Sequence, residues 1–266
     1  MQSTNIPKLN IAGANISATS YDEVTRTVTG WFRADPLQQS PSRYICVTSV
    51  HGIVTARSDH ELHESINNAD IATPDGMPVV WALRSFGAKD QRRVYGPTLM
   101  LHLCQAAAST NTGVYLYGGR PEVLPALRER LQQITPGLNI VGSYSPPFRP
   151  LTPAEDEQVI RTIRQSGARL VFIGISTPKQ EKWMAKHRYS LSGTVMVGVG
   201  AAFDFHAGSL RQAPRWMQNA GLEWFFRLMM EPRRLWRRYL LTTPIFLPLW
   251  GWQKAQYWTG RRKPVF

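Results

Sequence analysis

Two cysteines, Cys46 and Cys104, are all that the 266 residues contain, too few for a disulfide framework. Acidic side chains are also scarce. Eighteen Asp and Glu against 31 Lys and Arg leave a net charge of +13, which excludes an acidic solvating chain and implies an anionic partner: nucleic acid, lipid headgroups or a phosphorylated ligand. No apolar run reaches the roughly 20 residues that cross a bilayer. The longest weakly charged stretch, Tyr239–Trp252 "YLLTTPIFLPLWGW", has fourteen residues and is broken by Pro244 and Pro248, so it is read as lying on a membrane rather than spanning one. The opening "MQSTNIPKLN" has neither a charged n-region nor an apolar h-region, and the expectation is a cytoplasmic chain. Internal repeats and low-complexity segments are missing as well.

What is present is unevenly distributed. From residue 207 onward there are eleven Lys and Arg against two acidic residues, so +9 of the +13 lies in the last sixty positions, with six of the nine tryptophans. The densest segment is 223–241, "EWFFRLMMEPRRLWRRYLL". On a helix with about 100° per residue, Arg233, Arg234, Arg237 and Arg238 share one arc, and Leu235, Trp236, Tyr239 and Leu240 fill the other. Pro232 suits the first turn of such a helix. A basic face opposite an aromatic and aliphatic one fits a helix at an anionic membrane surface or one closing over a phosphate; a surface helix docked on its own core gives the same wheel.

The first four-fifths of the chain alternates strand-like and helix-like segments. Residues 44–50, 113–119, 168–176 and 193–200 are apolar, β-branched or aromatic runs bounded by breakers. Helical patterns cover 21–33, 55–68, 97–109, 121–134, 153–166 and 178–189, with Pro121 and Pro153 at first helical positions and Thr152 as an N-cap. Strands buried on both faces and separated by helices predict an α/β fold, Rossmann-like, with a mostly parallel sheet flanked by helices and a C-terminal basic amphipathic helical appendage. The expected organisation is an α/β catalytic domain over 1–206 and a helical, membrane-associating appendage over 207–266.

Ligands of such sheets bind beyond the strands' carboxyl ends, which directs attention to the segments where strands stop. "ATPDGMP" puts Asp75 at a strand-to-helix corner, where an Asp also makes an ordinary turn or helix cap. "YLYGGRPE" offers Gly118 and Gly119 before a helix N-terminus, a place that favours phosphate but also any βα turn. "GVGAAF" carries Phe203 where a dinucleotide fingerprint needs its third glycine, so an NAD enzyme is discounted. His60, His63 and Glu64 lack the spacing of a zinc site and read as a solvated face. No D-x-D stands at a strand end, and neither a metal nor another cofactor is expected.

"ADIATPDGMPVVWALR", "RRVYGPTLM", "YLYGG", "FIGISTPKQEKWMAKHR", "GVGAAFDFHAG" and "RQAPRWMQNAGLEWFFRLMMEPRRLWRRY", in this order and at these intervals, resemble the WecG/TagA/CpsF glycosyltransferases over roughly residues 8–240. The resemblance implies an inverting transfer from a UDP-sugar to a polyprenyl-diphosphate-linked sugar acceptor at the cytoplasmic face of the membrane, in surface-polysaccharide synthesis. UDP-N-acetylmannosamine is the leading donor and UDP-glucose, in exopolysaccharide assembly, the alternative. It implies Asp75 as catalytic base, Arg93 and Gln180 in the substrate pocket, and Arg227, Arg234 and Arg237 at the nucleotide diphosphate. Many members have T-x-N at the end of the first strand; here the register gives Val47-Thr48-Ser49, leaving Ser49, Thr48 or His51 to make that contact.

The chemistry matches those roles. An inverting transfer needs a carboxylate to take the acceptor's proton, and arginines to meet the charge that gathers on departing UDP. Arg233, Arg238, Trp250, Trp252, Arg261, Arg262 and Lys263 are expected to hold the enzyme at the anionic membrane, as a peripheral protein on its inner face. A second copy of the chain is a further candidate partner. The rival class is a nucleic-acid-binding protein, since basic residues interleaved with tryptophans can track a single strand. Against it stand the narrow arc of arginines beside Glu223 and Glu231 and the absence of any recognition motif, so no nucleic-acid partner is expected.

Overall fold

The computed structural model describes residues 6–33 and 40–259, apart from the side chains of residues 215, 219, 238 and 241. Arg261, Arg262 and Lys263 and the Arg238 side chain, all expected at the membrane, lie outside the described residues. Six strands form a parallel sheet in the order β4 (Ile71–Pro74), β3 (Arg43–Thr48), β8 (Val195–Gly198), β7 (Leu170–Gly174), β5 (Val114–Gly118), β6 (Ile140–Tyr144). The strands expected from apolar runs, β3, β5, β7 and β8, are the inner four. They are buried on both faces, as the lack of alternation in "YLY", "LVFI" and "VMV" requires. The edge strands β4 and β6 are short or half-exposed and carry little such signal. The α/β, Rossmann-like expectation is met.

Mutual contact divides the chain into two compact units. One is built from the residues up to Ser20, Val47–Tyr95 and Gln212 onward; the other from Tyr21–Cys46 and Gly96–Arg211. β4 and the C-terminal helices therefore belong to the same unit, although far apart in sequence.

In that unit an antiparallel hairpin, β1 (Lys8–Ile11) with β2 (Ala14–Ser17), turns through Ala12 and Gly13, both at positive φ. The helix expected over 55–68 is two helices, α2 (Val50–Ala56) and α3 (His60–Asn67). Asp59 makes the break: its side chain accepts the Leu62 N–H at 3.1 Å and caps α3. α4 (Met77–Ser85) follows β4 directly.

The C-terminal residues form α10 (Arg215–Asn219), α11 (Glu223–Met230) and α12 (Pro232–Trp258). Here the reading of 239–252 as a broken stretch is corrected, since α12 runs unbroken through Pro244 and Pro248. Each proline removes one donor and crowds the carbonyl four residues earlier, but tertiary packing outweighs that local cost. Leu235 and Phe246 are buried, and α12 lies against α2. The Trp250 indole N–H donates to Ser85 Oγ at 2.9 Å, and Gln253 bridges the hairpin, accepting from Ala12 N at 2.8 Å and donating to Asn10 O at 2.6 Å. Trp250 therefore leaves the set expected at the membrane. Among the described residues, no helix is long and apolar enough to cross a membrane.

The other unit holds α1 (Tyr21–Arg33), α5 (Gly96–Ser109), α6 (Val123–Ile134), α7 (Pro153–Gln165), α8 (Lys179–Lys186) and α9 (Ala202–His206). α7 begins as expected with a capping box between Thr152 and Glu155. α6 does not begin at Pro121: Glu122 takes the N-cap position and Val123 is the first helical residue.

Candidate active site

Asp75 stands just past the end of β4, at the sheet's carboxyl edge. Its N–H donates to Thr48 O at 2.9 Å, which extends the pairing of β4 with β3 by one residue and fixes where the carboxylate emerges. Gly76 follows at φ +98 as N-cap of α4, so the chain turns sharply and the Asp75 side chain is set at the corner rather than used as a cap.

Arg93 approaches this carboxylate from one side. Its Nε and Nη2 both donate to Oδ1, at 3.0 and 2.8 Å. The remaining nitrogen, Nη1, donates to Glu223 Oε2 at 2.6 Å, and the guanidinium lies over the Tyr95 ring at 4.0 Å from its centroid. The three charged side chains are largely shielded, Arg93 being 16%, Asp75 21% and Glu223 10% exposed. Burial works against the Arg93 charge, yet the carboxylates of Asp75 and Glu223 overcome it and hold the guanidinium above its ordinary value. The Tyr95 phenol is pushed well above its ordinary value by burial first and by Glu223 and Asp75 next.

Of the first-strand candidates, Thr48 is buried and meets Asp75 through its carbonyl. Ser49 is the N-cap residue of α2, with its hydroxyl making no capping bond, and His51 Nδ1 lies 3.4 Å from Thr55 Oγ1 one turn on. Both side chains are half-buried.

The remaining pocket candidates belong to the other unit. Gly118 closes β5 at φ +121, and a Cβ there would fall 2.6 Å from the carbonyl of Gly174 on β7. Gly119, at φ +70, donates to Gly174 O at 3.1 Å and would press a Cβ to 3.2 Å from the Phe203 ring. Close packing thus demands glycine at 118, and the positive φ favours it at 119. Gln180, in the first turn of α8, is buried. Its Nε2 donates to Glu181 Oε1 at 3.1 Å, which also accepts from Thr177 Oγ1 at 2.9 Å. The amide oxygen Oε1 is buried without a hydrogen-bond partner and lies beside the turn at Gly200.

The appendage arginines differ among themselves. Arg227 on α11 is half-buried. Arg234 is exposed and bonded to Glu231 at 2.6 Å, one turn earlier. Arg237 is exposed, its guanidinium 5.3 Å from the Trp236 ring centroid, and Arg233 is exposed.

Asp75 and Arg93 are brought together, and the structure adds Glu223 and Tyr95, which the sequence reading passed over. Both sit inside quoted blocks, "RRVYGP" and "GLEWFFR". In the sequence Glu223 is only an acid beside arginines; folding shows that its partner is 130 positions away. Gly221 makes that approach possible. It lies at φ +73, and a Cβ there would come within 3.1 Å of Met77 on α4.

A Rossmann-like sheet with a carboxylate at its carboxyl edge, pinned through one oxygen, fits a group-transfer enzyme. Residues 9–260 match the glycosyl transferase WecG/TagA/CpsF family, and the chain belongs to it. It is accordingly a glycosyltransferase, acting between a sugar donor and an acceptor.

Proposed function

We propose that the protein is an inverting glycosyltransferase that moves a sugar from a UDP-sugar to a polyprenyl-diphosphate-linked sugar acceptor at the inner face of the cell membrane, in surface-polysaccharide synthesis. UDP-N-acetylmannosamine is the first-choice donor and UDP-glucose the alternative. The observation that carries the reading is the one-sided grip on Asp75. Arg93 takes only Oδ1, so the carboxylate is held in place while Oδ2 is left outside that grip to accept the proton of an attacking hydroxyl.

In the transfer, the acceptor hydroxyl oxygen bonds to the anomeric carbon as its proton passes to Asp75 and the bond to the UDP oxygen breaks from the opposite face. Arg227, Arg234 and Arg237 meet the negative charge released on the diphosphate, in the bidentate manner that only arginine offers. Ser49, His51, Gln180, Gly118 and Gly119 complete the substrate contacts. Exposed Trp236, Leu240, Leu247, Trp252 and Trp258 on α12, together with Arg233 and Arg238, rest on the anionic lipid that carries the acceptor.

The test is a donor screen for UDP release with a short-chain polyprenyl-diphosphate sugar acceptor, run in EDTA because no D-x-D motif is present. Turnover with UDP-N-acetylmannosamine, giving product of inverted anomeric configuration, is expected. Retained configuration would overturn the base role, and turnover only after Mn²⁺ or Mg²⁺ is restored would overturn metal independence.

A further inference from the structure

The contact between Glu223 and Arg93 has no evident place in a transfer that needs one base and a set of phosphate-binding arginines, yet it is the shortest of the bonds around Asp75. A guanidinium facing a carboxylate ordinarily spreads two nitrogens over two oxygens, the strongest arrangement open to the pair. At Asp75 this does not happen: Nε and Nη2 converge on Oδ1 alone. The guanidinium is planar and rigid, so its orientation is set by what its third nitrogen and its faces touch. Nη1 is bonded to Glu223 Oε2 at 2.6 Å, and one face rests on Tyr95 at 4.0 Å. Those two contacts fix the plane, and the fixed plane dictates the one-oxygen grip.

We propose that Glu223 is a positioning residue for the transfer, holding Arg93 in the orientation that grips Oδ1 of Asp75 and keeps Oδ2 clear for the acceptor hydroxyl. This rests on the reading of Asp75 as the base. In this role Glu223 acts through Arg93, to which it is bonded. Without its carboxylate, Nη1 loses a charged, shielded partner, and the guanidinium swings toward the two-oxygen fork, covering the oxygen the reaction needs. Because Glu223 opens α11, the same bond ties the arginine-bearing C-terminal helices to the arginine that grips the base.

The test measures kcat and donor KM for Glu223→Ala and Glu223→Gln, alone and combined with Asp75→Asn, in the full-length protein with the short-chain polyprenyl-diphosphate sugar acceptor. Glu223→Ala is expected to lower kcat ~10-fold or more with donor KM changed by less than about twofold, since the loss is of geometry at the base and not of donor affinity. Glu223→Gln keeps an acceptor oxygen for Nη1 and should fall between Ala and wild type. In the Asp75→Asn background, removing Glu223 should cost less than about twofold more, because the group it acts through is already gone. Full kcat in Glu223→Ala, or an undiminished loss in the Asp75→Asn background, overturns the inference. If Glu223→Ala does not fold, Glu223→Gln carries the same cycle. Full turnover by Asp75→Asn alone would instead remove the base itself and with it the functional reading, whereas an inactive Asp75→Asn beside a fully active Glu223→Ala removes only the role of Glu223.

Discussion

Asp75 is both a turn residue and the proposed base, and the two roles predict different losses. Its turn role is carried by the backbone, through the N–H to Thr48 O at 2.9 Å and the following Gly76 at φ +98. Asp75→Asn keeps those contacts and removes only the charge. Turnover should therefore fall by ~10²-fold or more while donor binding, measured by calorimetry, stays nearly unchanged. A variant that keeps most of its turnover would return Asp75 to the turn alone. At this scale the sequence was informative where a residue's meaning is local or sits inside a distinctive block: Asp75 in "TPDG", Arg93 in "RRVYG". Glu223 shows the limit. Its neighbours in sequence are arginines and aromatics, and the reason for its burial is a guanidinium brought to it by folding, so no window of sequence contains both halves. Gly118 shows the opposite ambiguity, where a glycine that resembles a phosphate cradle is already required by the backbone of Gly174.

Elements were legible in proportion to how completely they are buried. The inner strands β3, β5, β7 and β8 announce themselves as unbroken apolar runs because both faces are covered. β6 does not, since Ile140 alone of its five residues is buried at the sheet edge. Helix α12 misled for another reason: its prolines argue for a break, and what keeps it whole is long-range packing of Leu235, Phe246 and Trp250. Those contacts also sort its tryptophans. Trp250→Phe keeps a ring to stack on Phe246 but loses the N–H bonded to Ser85, so it should lower stability by about 0.5–1.5 kcal/mol and leave binding to anionic vesicles unchanged. Trp252, which is 67% exposed, should do the reverse: Trp252→Ala weakens vesicle binding with little effect on the urea midpoint. Equal vesicle affinities for Trp252→Ala and wild type would take this side of α12 off the membrane.

For the molecule as a whole, composition located the charge but not the way the chain is partitioned. The excess of arginine toward the C-terminus pointed to a separate appendage, whereas by contact those helices group with β4 and the first hairpin. No local pattern encodes such a discontinuous unit. Global stability should also respond to mild acid. His206 and His187 are both held below their ordinary value of 6.5, chiefly by burial, although Pro97 O and Asp156 pull the other way. The folded protein then resists protons that the unfolded chain accepts. Their contribution is fully present above the ordinary value and is lost as the pH falls below it. The urea midpoint should be lower at pH 5.5 than at pH 7.5, and His206→Gln, whose amide can still donate to Pro97 O, should narrow the gap. Equal midpoints at the two pH values would contradict this.

The bond between Arg93 and Glu223 also has a meaning in time. A ribosome makes Asp75 and Arg93 early and Glu223 some 130 residues later, so the growing chain carries its proposed base long before the part that aims it. On the proposed role of Glu223, a chain whose final helices have not yet emerged holds Asp75 and Arg93 without the group that orients them, and full competence to spend activated sugar arrives with those helices.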